Sequence, residues 1–475
     1  MEFIVWVETR IGGKRLEFQA VAKVERNATG IAPEELGLTL ADGKIVLRQV
    51  QERIVQIQIE AISAAATACP RCGRNQPMKD LRTRQLRTIF GVVDVFCRRF
   101  LRCSCRGGKP RAQWPLRWMR VRRTLPELSF LLAKWGSAMP YRRAAQMLSE
   151  ILPLSKGSIS PATVWRHTLS VGTELDRRVT EPDEYDWPDS RRLPVSSAQR
   201  LTVAIDGTYI RANSSSWLSQ HYITAGRIER DGKLGGHFAW VARDAVSAQE
   251  FMKAALDDHG WTKQSRVTVL ADGADGLKSV VHGAISQAPR NILDWFHISM
   301  RLRPLEQMVT NIAKVLSGTN AIAGAAIRNK LPRLRWQMWN GKWTAAIERM
   351  REIYYSTGTA LKLLRSVDTE YVLRFRQHIA DLRDYLANNR SSLTNYARAH
   401  RRGRRISSAL AESGMSHLVN QRMGKRQPMC WSIEGAHLLL QVRCAMLNRQ
   451  LDSRFRELYP RFGQMPPAVE VPEVR

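Results

Sequence analysis

A chain of 475 residues with 44% hydrophobic side chains can bury several cores, which excludes a disordered polypeptide and suggests about three domains on length alone. Lys and Arg number 74 against 43 Asp and Glu, and the resulting net charge of +31 exceeds what solubility needs and suits a polyanionic partner, nucleic acid before an anionic membrane surface. No stretch approaches the ~18 uncharged apolar residues of a spanning helix, and residues 1–26 lack a signal-peptide layout, so a cytoplasmic protein is the expectation.

In residues 1–68 two strand-like segments, "EFIVWVE" and "KRLEFQAVAKV", lead into "KIVLRQVQERIVQIQIEAISAAA", whose spacing suits an amphipathic helix; no role is assigned to this region. Residues 69–123 hold five of the 7 cysteines, in "CPRCGR" (Cys69, Cys72) and "VFCRRFLRCSCRGG" (Cys97, Cys103, Cys105). Two thiol pairs on knuckle-like turns joined by a hairpin can place four sulfurs around a structural Zn²⁺, so Cys69, Cys72, Cys103 and Cys105 are expected to form a zinc-ribbon-like module. The second pair is C-x-C where C-x-x-C is usual. Cys97 reads as a strand residue, with replacement of Cys103 as its alternative role. Arg82, Arg84, Arg87, Arg98, Arg99 and Arg102, followed by "KPRAQWPLRWMRVRRT" with Trp114 and Trp118, make the module basic and suited to tracking phosphates.

Residues 124–176 divide into helices around a Pro/Gly/Ser break in "MPYRRAAQMLSEILPLSKGSISPATVWRHTLSVG". Ser160 can cap the second helix and Pro161 fits its first turn. A helix-turn-helix segment would expose Thr163, Arg166 and His167 to base edges, although the connection is longer than usual and two packed helices without a DNA role are the alternative. Residues 177–199, rich in Pro, Asp and Ser, read as a linker.

From residue 200 strands and helices alternate. "RLTVAIDGTYI" reads as a buried strand that delivers Asp206 onto a glycine, and an Asp leaving such a strand needs a cap, a partner or a metal. Two strands joined at Asp231-Gly232 and a helix follow. "RVTVLADGADGL" then delivers Asp272 onto a glycine, with Asp275 as a helix cap, and "NILDWFHIS" carries Asp294 and His297. Three antiparallel strands, a helix, then strand, helix and strand is the order of an α/β, RNase H-like core, in which the first and fourth strands are neighbours. Asp206 and Asp272 would then lie side by side and repel unless a cation sits between them, and hard oxygens select Mg²⁺ or Mn²⁺. An all-α insertion is expected over about 300–405. Its Trp336, Trp339 and Trp343 suit core packing, with stacking on a flipped base as the alternative, and Arg401, Arg402, Arg404 and Arg405 in "RAHRRGRRISS" suit phosphates.

"AIDGTYI", "VLADGADGL", "ILDWFHIS" and "RISSALAESGMSHLVNQRMGKRQPMCWSIEGAHLLLQVR" together resemble bacterial insertion-sequence transposases of the DDE superfamily, in particular the ISKra-type group, with a looser likeness to Mutator-like enzymes. The resemblance covers the chain from Cys69 to about Leu447, and its last motif is the most specific. It implies an RNase H-like catalytic domain over 200–475 with a helical insertion, and strand cleavage and transfer at the element's terminal inverted repeats. Asp206, Asp272 and Glu412 match the catalytic carboxylates, which would hold two Mg²⁺ or Mn²⁺ ions. Glu434 is the rival third residue, expected to face solvent, and Asp294 and His297 match a D-x-x-H step that supports the site or the DNA. The family also implies a bacterial, nucleoid-associated protein that acts as a homo-oligomer on double-stranded element and target DNA. An inert zinc and helix-turn-helix regulator, or a structure-selective nuclease on the same core, are the competing readings.

Overall fold

The β-branched and aromatic run Phe3–Val7 makes β1 (Glu2–Ile11) a strand, and β2 (Lys14–Glu25) pairs with it antiparallel as a two-stranded ribbon. The computed structural model describes all residues except 12–13, 28, 30–31, 108, 110, 121, 155–156, 182–198, 214–218, 318–320, 362–365, 408–413, 425–428 and 465–475. These fall into two compact units: Met1–Thr173 with the chain from Leu451, and Glu174–Gln450.

In the first unit a capping box of Thr39 and Asp42 starts α1 (Leu40–Ala65). Val55 and Ile59 on its apolar stripe pack against Leu86, Val93, Val95 and Cys97. Those residues belong to β3 (Met78–Thr88) and β4 (Gly91–Leu101), which form a sheet of order β3-β4-β5 with the short β5 (Ala112–Gln113). Three helices follow, α2 (Pro126–Ala138), α3 (Tyr141–Ile151) and α4 (Pro161–Thr180), around Leu128, Leu132, Ala145, Leu148 and Val164. Ser160 caps α4 as expected, its Oγ accepting from the Thr163 N–H at 3.1 Å. The sequence assigns everything after residue 200 to one domain, but the C-terminal helix Leu451–Leu458 packs with the first unit. Phe455 and Phe462 both lie 5.1 Å from the Phe130 ring of α2, so aromatic burial recruits this segment away from the strands that precede it. The expected linker also shortens, because α4 continues through Thr180.

The second unit is built on β6 (Arg200–Arg211), β7 (Gln220–Arg230), β8 (Lys233–Val241), α5 (Ala245–Asp258), β9 (Arg266–Ala271), α6 (Asp275–Ala284) and β10 (Arg290–Leu293). The sheet order is β10-β9-β6-β7-β8, with β6, β7 and β8 antiparallel and β9 and β10 parallel to β6. Leu201, Val203 and Ile205 face α5 and α6, while Ala204 points to the opposite face, the two-residue period expected of a strand covered on both sides. One expectation fails here: β6 does not end at Asp206-Gly207 but pairs with β7 through Arg211. Gly207 is still required, since a Cβ there would lie 1.8 Å from the Tyr222 hydroxyl.

Beyond Asp294 the chain is helical: α7 (Trp295–Ser317), α8 (Ala321–Trp339), α9 (Trp343–Leu361), α10 (Ser366–Asn388) and α11 (Tyr396–Arg401). Their core, with Leu302, Leu334, Met350, Phe375 and Leu382, is continuous with Leu270 and Ile292 of the sheet. Trp339 and Trp343 pack against this core, whereas Trp336 is 52% exposed. The last helix of the unit, α12 (Ile433–Leu447), covers Ile223, Ala225 and Ala239 on β7 and β8.

β8 also carries a buried histidine. The His237 N–H donates to Asn448 Oδ1 at 2.6 Å, and Asn448 Nδ2 donates to the His237 carbonyl at 2.8 Å. Burial, with Arg227 nearby, pushes its pKa from the ordinary 6.5 down to about 4. The unfolded imidazole takes up a proton near 6.5 and the folded one only near 4. Full stability is therefore present above pH 6.5 and is lost as the pH falls toward 4, by up to roughly 3 kcal/mol. Thermal unfolding of His237→Gln should depend less steeply on pH over this window than the parent chain; equal slopes would contradict the assignment.

Candidate active site and thiolate centre

The sheet register brings the acidic residues together. Arg200 lies opposite Arg266 on the parallel pair β6–β9, the pairing runs to Ala204 opposite Leu270, and two residues further along each chain stand Asp206 and Asp272. Leu293 lies opposite Ala271 on β10, so the next residues on those two strands are Asp294 and Asp272. Three carboxylates are thus carried by, or directly follow, neighbouring strands whose backbones are about 4.8 Å apart.

Their environments differ. Asp206 is half-buried, and its Oδ1 accepts from the Gly207 N–H at 2.7 Å. Burial raises its pKa, and the charges of Asp272 and Asp294 add to this, against the opposing effects of the Gly207 N–H and His297. Asp272 Oδ1 accepts from the Ala274 N–H at 2.9 Å. That turn leaves Asp275 as the first residue of α6, where it does not cap the helix as expected: Ala274 occupies the cap position and Asp275 pairs with Lys278 at 3.5 Å. Asp294 is fully buried; its Oδ1 accepts from the Phe296 N–H at 2.8 Å, and its Oδ2 accepts from His297 Nδ1 at 2.7 Å. This bond raises the pKa of His297. Ligand atoms of Asp206, Asp272 and His297 all lie within 4.8 Å of one another, close enough to surround one cation.

The helical layer fixes this cluster through residues that carry no local signature. Tyr385 on α10 donates to the Asp272 carbonyl at 2.6 Å, and Tyr396 on α11 donates to the Leu293 carbonyl at 2.7 Å. Lys278 donates to the Gly273 carbonyl at 3.1 Å and to Asn389 Oδ1 at 2.9 Å. Gly273 has φ +103°, and a Cβ there would meet Asn389 at 2.6 Å. Tyr222 stands beside the cluster with its pKa pushed up to about 12 by burial and then by Asp272 and Asp206. Nothing in the sequence links Tyr385 or Asn389 to Asp272; only the fold does.

Glu412 lies outside the described residues. Gly414, two positions on, sits against β7, where a Cβ would be 3.5 Å from the Gly226 carbonyl, and Gly226 pairs with Ile205, the neighbour of Asp206. Glu434 is exposed in the first turn of α12. Arg401, Arg402, Arg404 and Arg405 are exposed, and the chain just beyond them returns to the cluster, the Trp295 N–H donating to the Ile406 carbonyl at 3.0 Å. Arg405 is ion-paired with Glu229 at 2.7 Å.

On α4 the expectation is corrected for two of three residues. Thr163 is buried against Ser160, and both ring nitrogens of His167 are engaged at 3.2 Å, Nε2 by Thr124 and Nδ1 by Ser129. Burial lowers the His167 pKa. The helical period turns these side chains inward, leaving Arg166 and Trp165 outward.

In the first unit Cys69 Sγ lies 3.6 Å from Cys105 Sγ, Cys72 Sγ lies 3.5 Å from Cys103 Sγ, and all four sulfurs fall within 4.8 Å of one another. Sulfurs around a tetrahedral zinc, each at about 2.3 Å, would be roughly 3.8 Å apart. The four cysteines therefore fit a structural metal such as zinc. The first knuckle is held by the Gly73 N–H donating to the Cys69 carbonyl at 2.9 Å, with Gly73 at φ +72°. Backbone N–H groups of Arg71 and Cys72 pull the Cys69 thiol down to about 6, into the thiolate range a metal requires. Cys97 stays in the β4 core, where burial raises its pKa, and it does not replace Cys103. Trp114 lies beneath the guanidinium groups of Arg84 and Arg99, at 5.0 and 5.5 Å, while Trp118 is 42% exposed.

Among known protein families and curated proteins the chain has no match. No helix among the described residues is long and apolar enough to cross a membrane.

The thiolate cluster should bind one Co²⁺ per chain with intense thiolate-to-metal absorption in the near ultraviolet, and Cys72→Ser should remove that band and lower the thermal midpoint of the first unit. An unchanged spectrum in the variant would disprove a four-sulfur site.

Proposed function

We propose that the protein is a DDE-type transposase with an RNase H-like core, which cuts and joins DNA at the ends of an insertion sequence. The observation that carries this reading is the convergence of Asp206 and Asp272 at one edge of β6 and β9, in the register that a two-carboxylate phosphoryl-transfer site needs. The strand order β10-β9-β6-β7-β8, with β6, β7 and β8 antiparallel and β9 and β10 parallel to β6, supports the RNase H-like assignment. A net charge of +31 supports a DNA substrate.

Asp206 and Asp272, joined by Glu412, are the residues that would hold two divalent cations, Mg²⁺ or Mn²⁺. Such ions polarise the scissile phosphate and activate a water or a 3′-hydroxyl. Asp206 brings a carboxyl that burial and its neighbours make reluctant to ionise alone, so a cation at this edge relieves a repulsion already present. Arg401, Arg402 and Arg404 extend from the segment that returns to Trp295, one residue from Asp294, and are placed to grip backbone phosphates beside the reacting bond. Arg405 is engaged by Glu229 and contributes less. The thiolate module, with zinc as its metal, and the outward face of α4 with Trp165 and Arg166 supply further DNA contacts, and a pair of protomers on paired element ends follows from the family likeness.

Asp206→Asn should abolish Mg²⁺-dependent cleavage of element ends while leaving DNA binding unchanged. A variant that still cuts, or wild-type products that are cut but never joined, would reject the transposase reading. Arg404→Ala should weaken binding of every sequence alike and flatten the slope of log K against log salt by about 0.9 for each phosphate it no longer neutralises, readable by fluorescence anisotropy across a salt series.

A further inference from the structure

The carboxylate edge contains a nitrogen donor in a geometry that metal sites use. Imidazole ligands generally donate their second ring N–H to a carboxylate, which fixes the tautomer and turns the other nitrogen toward the ion. His297 is arranged in that way. Its Nδ1–H donates at 2.7 Å to Oδ2 of Asp294, a carboxylate with no solvent exposure whose other oxygen is held by the Phe296 N–H. The ring is therefore clamped from behind by a buried group, at the first turn of α7. With Nδ1 committed to Asp294, Nε2 is the nitrogen left to serve as donor, and a ring nitrogen of His297 lies with carboxylate oxygens of Asp206 and Asp272 inside a 4.8 Å cluster. Around an octahedral ion with bonds near 2.1 Å, ligand atoms stand roughly 3.0 Å apart when adjacent and 4.2 Å when opposite, so atoms already within 4.8 Å need only small side-chain shifts to share one coordination shell.

We infer that Nε2 of His297 is a direct ligand of one cation in this site, completing a set of two carboxylates and one imidazole, and that Asp294 is its positioning residue. The inference rests on the reading of Asp206 and Asp272 as a cation site, and it adds a nitrogen where carboxylates alone would give an all-oxygen shell. An imidazole ligand favours a transition ion over Mg²⁺, so this position should prefer Mn²⁺.

The test uses the full-length protein with Mn²⁺ as the probe, observed by electron spin-echo spectroscopy. Wild type should show ¹⁴N modulation from a directly bound histidine. His297→Gln should still bind Mn²⁺ through its carboxylates but lose that modulation and narrow the preference for Mn²⁺ over Mg²⁺. Asp294→Asn should keep the modulation and weaken Mn²⁺ affinity about 10- to 100-fold, as loss of such a supporting carboxylate does elsewhere. Mn²⁺ binding that disappears in Asp206→Asn, yet shows no ¹⁴N modulation in wild type, would overturn the nitrogen ligand and leave the transposase reading standing. Modulation that persists in His297→Gln would also overturn it, because the nitrogen would then belong to another residue. Failure of wild type to bind Mn²⁺ at all would overturn the inference and the cation site beneath it.

Discussion

Like charges forced into register are the constraint around which the second unit is organised. Asp206 sits on β6, and Asp272 and Asp294 directly follow the last residues of β9 and β10, so the strand pairing keeps their backbones from drifting apart. Two unit charges 4 Å apart near a protein surface repel by about 4 kcal/mol, several times the worth of a typical hydrogen bond. The unit does not relax this repulsion by moving the strand ends. Tyr385 and Tyr396 tie the carbonyls of Asp272 and Leu293, and Asn389 fills the space over Gly273. What relieves the repulsion must therefore be chemical: a proton, the His297 ring, or a bound cation. Burial first and then the neighbouring carboxylates raise the pKa of Asp206, and the Asp294 hydrogen bond first and then the same carboxylates raise that of His297.

Helices far along the chain provide the rigidity. The α7–α11 layer shares one apolar core with Leu270 and Ile292, so the loops that carry Asp272 and Asp294 are pressed between sheet and helices. At the other end of the sheet, Trp431 continues the pairing of β6: its N–H donates to the Arg211 carbonyl at 3.0 Å, and its own carbonyl accepts from Asn213 at 2.9 Å. His437 on α12 accepts from the Val241 N–H at 3.3 Å and donates from Nε2 to Asp176 at 2.7 Å, joining β8 to the end of α4. Arg422 is buried with its guanidinium 5.2 Å from the Trp431 ring. The Arg-Met, Trp-Ser and Gly-Ala-His steps of the C-terminal motif thus act as scaffold for the strands behind the acidic edge.

This division explains what can be read from the residues alone. The strands are legible because apolar runs such as "LTVAI" and "VTVLA" end on Asp-Gly, and the parallel pairing of β6 with β9 then makes Asp206 and Asp272 neighbours. The thiolate knuckle is legible because Cys-Pro-x-Cys-Gly encodes its own turn. Contacts made across a hundred residues, Tyr385 with Asp272 or Tyr396 with Leu293, have no local pattern to betray them. Asp206-Gly207 suggests a strand exit because Asp-Gly usually turns a chain, whereas here the glycine makes room for Tyr222 and the strand continues. Thr163 and His167 fall on the inner face of α4, against expectation, because a cap position predicts where a helix begins and says nothing of which side its neighbours bury.

The two donor clusters differ in a way that assigns them different work. Four thiols within 4.8 Å leave no position on a tetrahedral ion for a substrate, so that cluster can only clamp residues 69–105 and hold the arginines of β3 and β4 on a rigid hairpin. Two carboxylates and an imidazole would leave an octahedral ion half open, and on the proposed reading those open positions would receive phosphate oxygens and an attacking hydroxyl. Softness of the donors separates them further, since thiolates draw zinc-like ions away from the oxygen-rich edge, and the oxygen-rich edge does not compete for them. A chain with both can therefore load distinct metals from one pool without exchanging their roles, one ion maintaining the fold of its hairpin and the other, on the proposed reading, left open to a phosphate.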